Sequence, residues 1–356
     1  MQIAIVGAGF SGLAACWNLL QHPALGKRIK VVVFDEGGIG AGSSGMAAGL
    51  MHPYVGVHAK LNWMGIQGIA ATQKLLDVAS AAQGKAVANY CGILRLALSA
   101  SQESDYKRCA AIHTAEVEWW DSQRCQALVP GLGGSPGLFI KTGASVFCPL
   151  YLAGLWKACQ ALGAVLEIKT VESLQELHAF DAVIVATGAL VKAFPELSHL
   201  PITPVKGQLL EYAWPAGIEP LPAPLNSVNY LVMSESGGSC FAGATYEREF
   251  RSALPDPAFA QAEIGPKIAE MFPPLAAAQV VGCRAGLRAS AAQRKPLMGR
   301  LDSRIWYLTG MGSKGLLYHA LFAESLAAEI ATFFAAEYGF PLQSERKTLP
   351  PELKVR

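Results

Sequence analysis

Charge is scarce in this sequence. Only 16% of its 356 residues are Asp, Glu, Lys or Arg, against about a quarter in an average soluble protein. Lys and Arg number 29 and Asp and Glu 27, which leaves a net charge of +2. That is too little for a strongly basic nucleic-acid clamp, although it leaves room for a local patch. Met1 to Gly26 carries no charged side chain. A secretory signal needs a basic region before its apolar run, and none precedes Ile3-Ala4-Ile5-Val6. A spanning helix needs about 20 mostly apolar residues. Here Gly7, Gly9, Ser11 and Gly12 break the run and Gln21-His22-Pro23 end it. The apolar stretch at 315–340 is punctuated by His319, Glu324, Glu329 and Glu337 and reads as a buried helix. No membrane insertion is expected.

Cysteine pairing is also missing. The eight cysteines form no CxxC pair and the seven histidines are dispersed, so no metal site is expected. Reduced thiols in a cytoplasmic protein follow. No repeat, heptad or exposed apolar stripe marks an oligomer interface. What is present is apolar residues, at 52%, and 36 glycines. The chain is long enough for about two domains with a sizeable core.

The opening reads as a strand at 2–6, a glycine turn at 7–12, a helix at 13–20 and a buried strand at 31–34. A small-residue loop covers 37–49, and helices are expected at about 61–82, 101–113, 114–124, 151–162, 257–272 and 316–336. Strands are expected at 181–186 and 305–309, with strands and turns through 201–243. Gly7-Ala8-Gly9-Phe10-Ser11-Gly12 is GxGxxG directly after a strand and at the start of a helix. The glycines permit the tight turn, the approach of a pyrophosphate and close helix packing, and the helix N-terminus favours the negative charge. An acid should end the next strand to bind a ribose, and Asp35 lies 23 residues past Gly12, with Glu36 as the alternative. This motif predicts a dinucleotide without separating NAD from FAD.

Five further blocks carry a family resemblance. Asp35-Glu36-Gly37-Gly38-Ile39-Gly40-Ala41-Gly42-Ser43-Ser44-Gly45, with Ala48 and Gly49 beyond, resembles the second FAD signature of the D-amino-acid oxidase and glycine oxidase family. Asp181 to Gly188, ending Ala186-Thr187-Gly188, is similar to its central strand. Pro204-Val205-Lys206-Gly207-Gln208 resembles its interdomain crossover. Gly286-Leu287-Arg288, running to Pro296-Leu297-Met298-Gly299, resembles its G-L-R block, with Gln293 where the family usually has Asp. Gly310-Met311-Gly312-Ser313-Lys314-Gly315-Leu316 resembles its final flavin loop.

The resemblance implies an α/β fold of the glutathione-reductase-like, D-amino-acid oxidase type. A Rossmann-like FAD-binding domain (1–84, 145–206 and 283–340) would carry an inserted α+β substrate domain (85–144 and 207–282), with 341–356 as a surface tail. The FAD contacts implied are Gly7, Ala8, Gly9, Phe10, Ser11, Gly12, Asp35, Glu36, Gly42, Ser43, Ser44, Ala48, Gly49, Thr187, Gly188, Gly286, Gly312, Ser313, Lys314, Gly315 and Leu316. Gly286 stands where one branch has a flavin-linking cysteine, so non-covalent FAD is expected.

The family moves a hydride from a carbon beside nitrogen to the flavin, and water hydrolyses the resulting imine. A neutral amine needs no protein base, but a substrate carboxylate needs a cation. Arg288 stands at the family's carboxylate-binding position, and its fork matches a carboxylate. Tyr246 is a second candidate contact, His52 a candidate neighbour of the flavin ring, and Lys314 a candidate for the flavin edge or oxygen activation. Within the family, Ser44 to Pro53, Phe147-Cys148-Pro149 and His199 to Gln208 are similar to a branch acting on a modified wobble uridine of tRNA. Residue 1 already opens the first strand, so no methyltransferase half is expected before it. A tRNA substrate calls for basic residues around the site, among Lys107, Arg108, Arg124, Arg248, Arg251, Arg294, Lys295 and Arg300. The alternatives are oxidation of a free amino acid (glycine, sarcosine, a D-amino acid or proline) and a non-catalytic flavoprotein subunit.

Overall fold

The apolar run Gln2–Val6 lies inside a six-stranded sheet of the computed structural model, which describes residues 1–339. The expected tail at 341–356 lies outside the described residues. In sheet order the strands are Val165–Ile168, Lys30–Asp35, Gln2–Val6, Ala182–Val185, Ile305–Thr309 and Leu297–Arg300. The first five are parallel and the last is antiparallel. Among the described residues the helices are α1 (Phe10–Gln21), α2 (Gly65–Gln83), α3 (Ala100–Ile112), α4 (Ser122–Leu128), α5 (Cys148–Ala161), α6 (Pro257–Met271) and α7 (Gly315–Tyr338). None is long and apolar enough to cross a membrane.

Both faces of this sheet are covered. Ile3, Ile5, Val31, Val33 and Ile184 pack against α1, α2, α5 and α7. Ala4, Val6, Phe34, Val183 and Val185 pack against the turns that contain Leu174, Val191 and Phe194. Burial on two sides removes the need for alternation, which is why these strands read as unbroken apolar runs.

A second sheet has eight strands in the order Val280–Ala291, Ile202–Ala213, Ser239–Gly243, Tyr230–Met233, Leu225–Asn226, Ile93–Leu96, Gly137–Ile140 and Val117–Trp120. The divisions expected at 206/207 and 282/283 fall inside its two longest strands, which pair with each other along most of their length. Ile202, Ala289 and Ala291 at one end of this ribbon join the core of the first sheet. Leu210 and Tyr212 at the other end join the core over α6. The ribbon therefore belongs to both layers.

Three local expectations are corrected. The stretch 114–124 is a strand, Val117–Trp120, followed by α4. The alternating Val117-Glu118-Trp119-Trp120 pairs with Gly137–Ile140, and the Asp121 carboxylate caps α4 by accepting from the Arg124 amide at 2.8 Å. The second helix starts at Gly65, because Lys60–Leu61 pairs with Tyr54–Val55. The first begins at Phe10, so half the glycine turn is already helical.

Two buried histidines give the fold a pH dependence. His319, inside α7, bonds the Tyr151 hydroxyl at 2.6 Å and the Gly315 carbonyl at 2.9 Å. Burial brings its pKa down to about 4. Burial, then the Arg95 charge, brings His52 down to about 3. Both folded values lie below the unfolded 6.5, so the unfolded chain binds more protons between the two. Stability is then complete above pH 6.5 and is lost as pH falls. From pH 7.5 to 5 the expected loss is about 2 kcal/mol per histidine. Urea unfolding at both values checks this, and His319→Gln should remove about half of the loss.

Candidate active site

The carboxyl ends of Gln2–Val6, Lys30–Asp35 and Ile305–Thr309 open onto a cavity of about 520 Å³, where parallel α/β sheets place ligands. Gly7 makes the first turn at φ +110, and a Cβ there would lie 2.6 Å from the Ala186 carbonyl oxygen. The Asp35 carboxylate accepts from the Ala8 amide at 2.8 Å and the Gly37 amide at 3.0 Å. It thereby ties the turn to the following loop, and a carboxylate keeps further acceptor capacity beyond two bonds. Glu36 also lines the cavity, where it accepts from the Thr170 hydroxyl at 3.2 Å.

Two helix N-termini meet this cavity. Neither α1 nor α7 has a side-chain cap or an acidic residue in its first turn, so their first amides keep donor capacity. The Phe10 amide, which bonds the Ser44 hydroxyl at 3.0 Å, and the Leu317 amide, which bonds the Lys314 carbonyl at 3.0 Å, are exceptions. Phe10, Ser11, Gly312, Ser313, Gly315 and Leu316 line the wall. The Thr187 hydroxyl, also on the wall, is buried with no partner. Two uncapped helix ends, small-residue walls and an orphaned hydroxyl fit an elongated dinucleotide with an anionic centre.

The other part of the cavity is built on the long ribbon. Val205 pairs with Arg288 and Gly207 with Gly286. The Arg288 guanidinium lies over Gly207, where any side chain would collide with it, and its Nη1 donates to the Thr245 carbonyl at 3.1 Å. Behind Thr245 is a polar network. The Thr245 hydroxyl donates to Glu247 at 2.5 Å, the Gln208 side chain donates to the same carboxylate at 3.0 Å, and the buried Lys206 ammonium lies 3.9 Å away. Lys206 is therefore one half of a buried ion pair.

Tyr230 shares the wall with Arg288. Burial pushes its phenol up to about 12, against the pull of the Arg288 charge, so it remains a hydrogen-bond donor at neutral pH. Met46, Leu50, Leu209 and Ala244 supply apolar wall. The other charged lining residues are Asp35, Glu36 and Lys169; Asp35 ends the Lys30–Asp35 strand and Glu36 follows it, while Lys169 follows its neighbour, Val165–Ile168. Arg288 and Tyr230 can thus fix a carboxylate beside a dry, apolar surface.

Most of the expected cofactor residues reach the cavity: Gly7, Gly9, Phe10, Ser11, Asp35, Glu36, Gly42, Ser43, Ser44, Ala48, Gly49, Thr187, Gly188, Gly286, Gly312, Ser313, Gly315 and Leu316. Ala8 is buried behind the turn, and Gly12 packs on the Gly7 carbonyl. Of the four candidate catalytic residues, Arg288 alone lines the cavity. Tyr246 is 56% exposed. His52 is buried against Asn226 at 3.2 Å. Lys314 turns away to donate to the Arg294 carbonyl at 2.6 Å, and burial, then the Arg294 charge, lowers its pKa.

Tyr230, Lys169, Leu190 and Phe194 also line the cavity, and none belongs to a block quoted from the sequence. Tyr230 opens a four-residue strand and pairs with Gly243, which pairs with the cavity residue Leu209, so strand register brings it to the cavity wall. The expected basic residues do not form one patch. Lys107, Arg108 and Arg124 are paired with Glu103, Asp105 and Glu118, Lys295 covers Trp63, and Arg300 covers Phe333. Among the described residues no cluster of three His, Cys, Asp or Glu could hold a metal.

Comparison with known proteins agrees with this geometry. A family model described as FAD dependent oxidoreductase matches residues 2–329. The chain is 26% identical over 330 residues to the tRNA 5-methylaminomethyl-2-thiouridine biosynthesis bifunctional protein MnmC of Maricaulis maris, covering 92% of this chain and 52% of that protein. It therefore spans about half the length of such relatives. Among solved structures it is similar to glycine oxidase from Geobacillus kaustophilus, with a TM-score of 0.79 and 22% identity, over 93% of this chain and 94% of that one. It is also similar to iminodiacetate oxidase from Chelativorans sp. BNC1, with a TM-score of 0.75 and 21% identity, over 97% and 98%.

Proposed function

Because the chain belongs to the FAD-dependent oxidoreductase family and is an enzyme acting on amines or amino acids, we propose that it oxidises the C–N bond of a secondary glycine-type amine. The substrate is R–NH–CH2–COO⁻, with R the arm of a modified tRNA wobble uridine. The observation that carries the reading is Arg288 on the cavity wall beside the protonated Tyr230 phenol. Arg288 binds the carboxylate through its planar fork, and Tyr230 donates one further hydrogen bond to it. The apolar side chains Met46, Leu50 and Leu209 exclude water from the CH2 group. FAD, when bound, supplies the hydride acceptor. Residues 7–11 and 312–316 would hold it, with Asp35 toward the ribose.

Non-covalent attachment is supported by a cavity wall without cysteine or histidine and by Gly286 packed over Ser43. A cytoplasmic location is supported by eight free cysteines. The tRNA version is supported by similarity to a protein named for tRNA 5-methylaminomethyl-2-thiouridine biosynthesis. Free glycine or sarcosine is the second reading, supported by a carboxylate clamp that needs only a small substrate.

Anaerobic addition of sarcosine, or of an anticodon stem-loop carrying 5-carboxymethylaminomethyluridine, should bleach the flavin absorbance of the purified protein. No bleaching with either would defeat the amine reading. Bleaching with sarcosine alone would leave only the free-amine version.

A further inference from the structure

Tyr246 does not touch the cavity, yet it stands at a particular point of the chain. Ala244 is part of the cavity wall, and the Thr245 carbonyl holds Arg288. One residue later Tyr246 is 56% exposed. The Arg248 guanidinium lies 5.8 Å from the centre of its ring. Among the described residues, neither Arg248 nor Arg251 is in an ion pair with a carboxylate, and Glu249 between them is in none with a cation. An exposed aromatic ring with a guanidinium against it has the make-up of a nucleobase platform. The ring offers its face for stacking and the arginines attract phosphate.

Distance links this platform to the carboxylate clamp. In a base–CH2–NH–CH2–COO⁻ arm, four bonds separate the base from the carboxylate carbon, a span of about 5 Å. The Cα of Tyr246 is about 3.8 Å from that of Thr245, whose carbonyl is 3.1 Å from Arg288 Nη1. A base on such an arm lies within about 5 Å of the carboxylate carbon, and Tyr246 is the residue next to the one whose carbonyl holds Arg288. A free small amine would not reach the ring.

Resting on the tRNA reading above, we propose that Tyr246, with Arg248 against it, stacks the pyrimidine that carries the amine and so selects a nucleic-acid-borne substrate over a free one. The test compares kcat/KM of the holoenzyme for the modified anticodon stem-loop with that for sarcosine. Tyr246→Ala should lower the ratio of stem-loop to sarcosine at least about tenfold, or about 1.4 kcal/mol, the scale of one base on one aromatic ring. Tyr246→Phe, which keeps the ring, should hold the ratio within about twofold. Arg248→Gln should flatten the salt dependence of the stem-loop reaction alone.

A ratio unmoved by Tyr246→Ala, with wild-type enzyme oxidising the stem-loop, overturns the platform and leaves the tRNA reading standing. A wild-type enzyme that oxidises sarcosine and ignores the stem-loop overturns both. A ratio that falls equally in Tyr246→Phe also overturns the stacking role.

Discussion

Arg288→Ala is expected to lower kcat/KM for a carboxylated amine by about 30- to 3,000-fold while the enzyme keeps its flavin. Removing one partner of a hydrogen-bonded charge pair in a desolvated site costs about 2–5 kcal/mol, and each 1.4 kcal/mol is tenfold. The loss should fall mainly on KM, because the carboxylate is held alike before and during reaction. Flavin content should stay near one per chain, since the guanidinium rests on Gly207 and Thr245 and not on the uncapped ends of α1 and α7. Arg288→Lys should recover only part of the loss, because an ammonium lacks the planar fork. Glu247→Gln gives the same direction at about tenfold, because Glu247 holds the hydroxyl of Thr245, the residue whose carbonyl orients Arg288. An amine without a carboxylate should show no such increase in KM in Glu247→Gln. Steady-state kinetics together with the flavin-to-protein absorbance ratio decide it. Near-wild-type kinetics in Arg288→Ala would remove this residue from the site.

Gly7→Ala is expected to yield protein that loses FAD on gel filtration and melts about 10 °C lower. Two costs add. The backbone at φ +110 is a region L side chains rarely adopt, worth about 1–3 kcal/mol. The new Cβ would also meet Ala186 backbone atoms at 2.6 and 2.8 Å, and overpacking typically costs about 1–3 kcal/mol more. For a domain of this size each kcal/mol moves Tm by about 2–4 °C. Gly42→Ala is the control. It lies on the cavity wall with no protein atom within 4 Å of the added Cβ. Its Tm should not move, so any loss of flavin there reports contact with the cofactor itself. A Gly7→Ala protein that retains FAD and melts like the wild type would show that the turn has room to spare.

Much of the glycine-rich part of the cavity was legible because it is local. Gly7, Gly9, Asp35, Ser43, Ser44, Gly312 and Gly315 lie in short blocks whose spacing is set by a tight turn, a loop and a helix start, and each lines the cavity. The part of the cavity built on the long ribbon was less legible because it is assembled across strands. Arg288 was found from the Gly286-Leu287-Arg288 block, but Tyr230 comes to the same cavity wall through the pairing of Tyr230 with Gly243 and of Gly243 with Leu209. No spacing along the chain encodes that register. Tyr246 and Lys314 stand in recognisable blocks and still point elsewhere, because a motif places a backbone and packing turns the side chain.

By itself the sequence determined the parallel sheet, the turn at Gly7 and the acid at Asp35, because apolar periodicity and backbone clearance act over a few residues; the kind of chemistry came from the resemblance of its blocks to a family. Only the tertiary structure decided that Tyr230 joins Arg288, that Glu247 and Thr245 stand behind it, and that the ribbon of Ile202–Ala213 and Val280–Ala291 belongs to both layers. Those contacts join residues far apart in the chain, and burial together with strand register selects them.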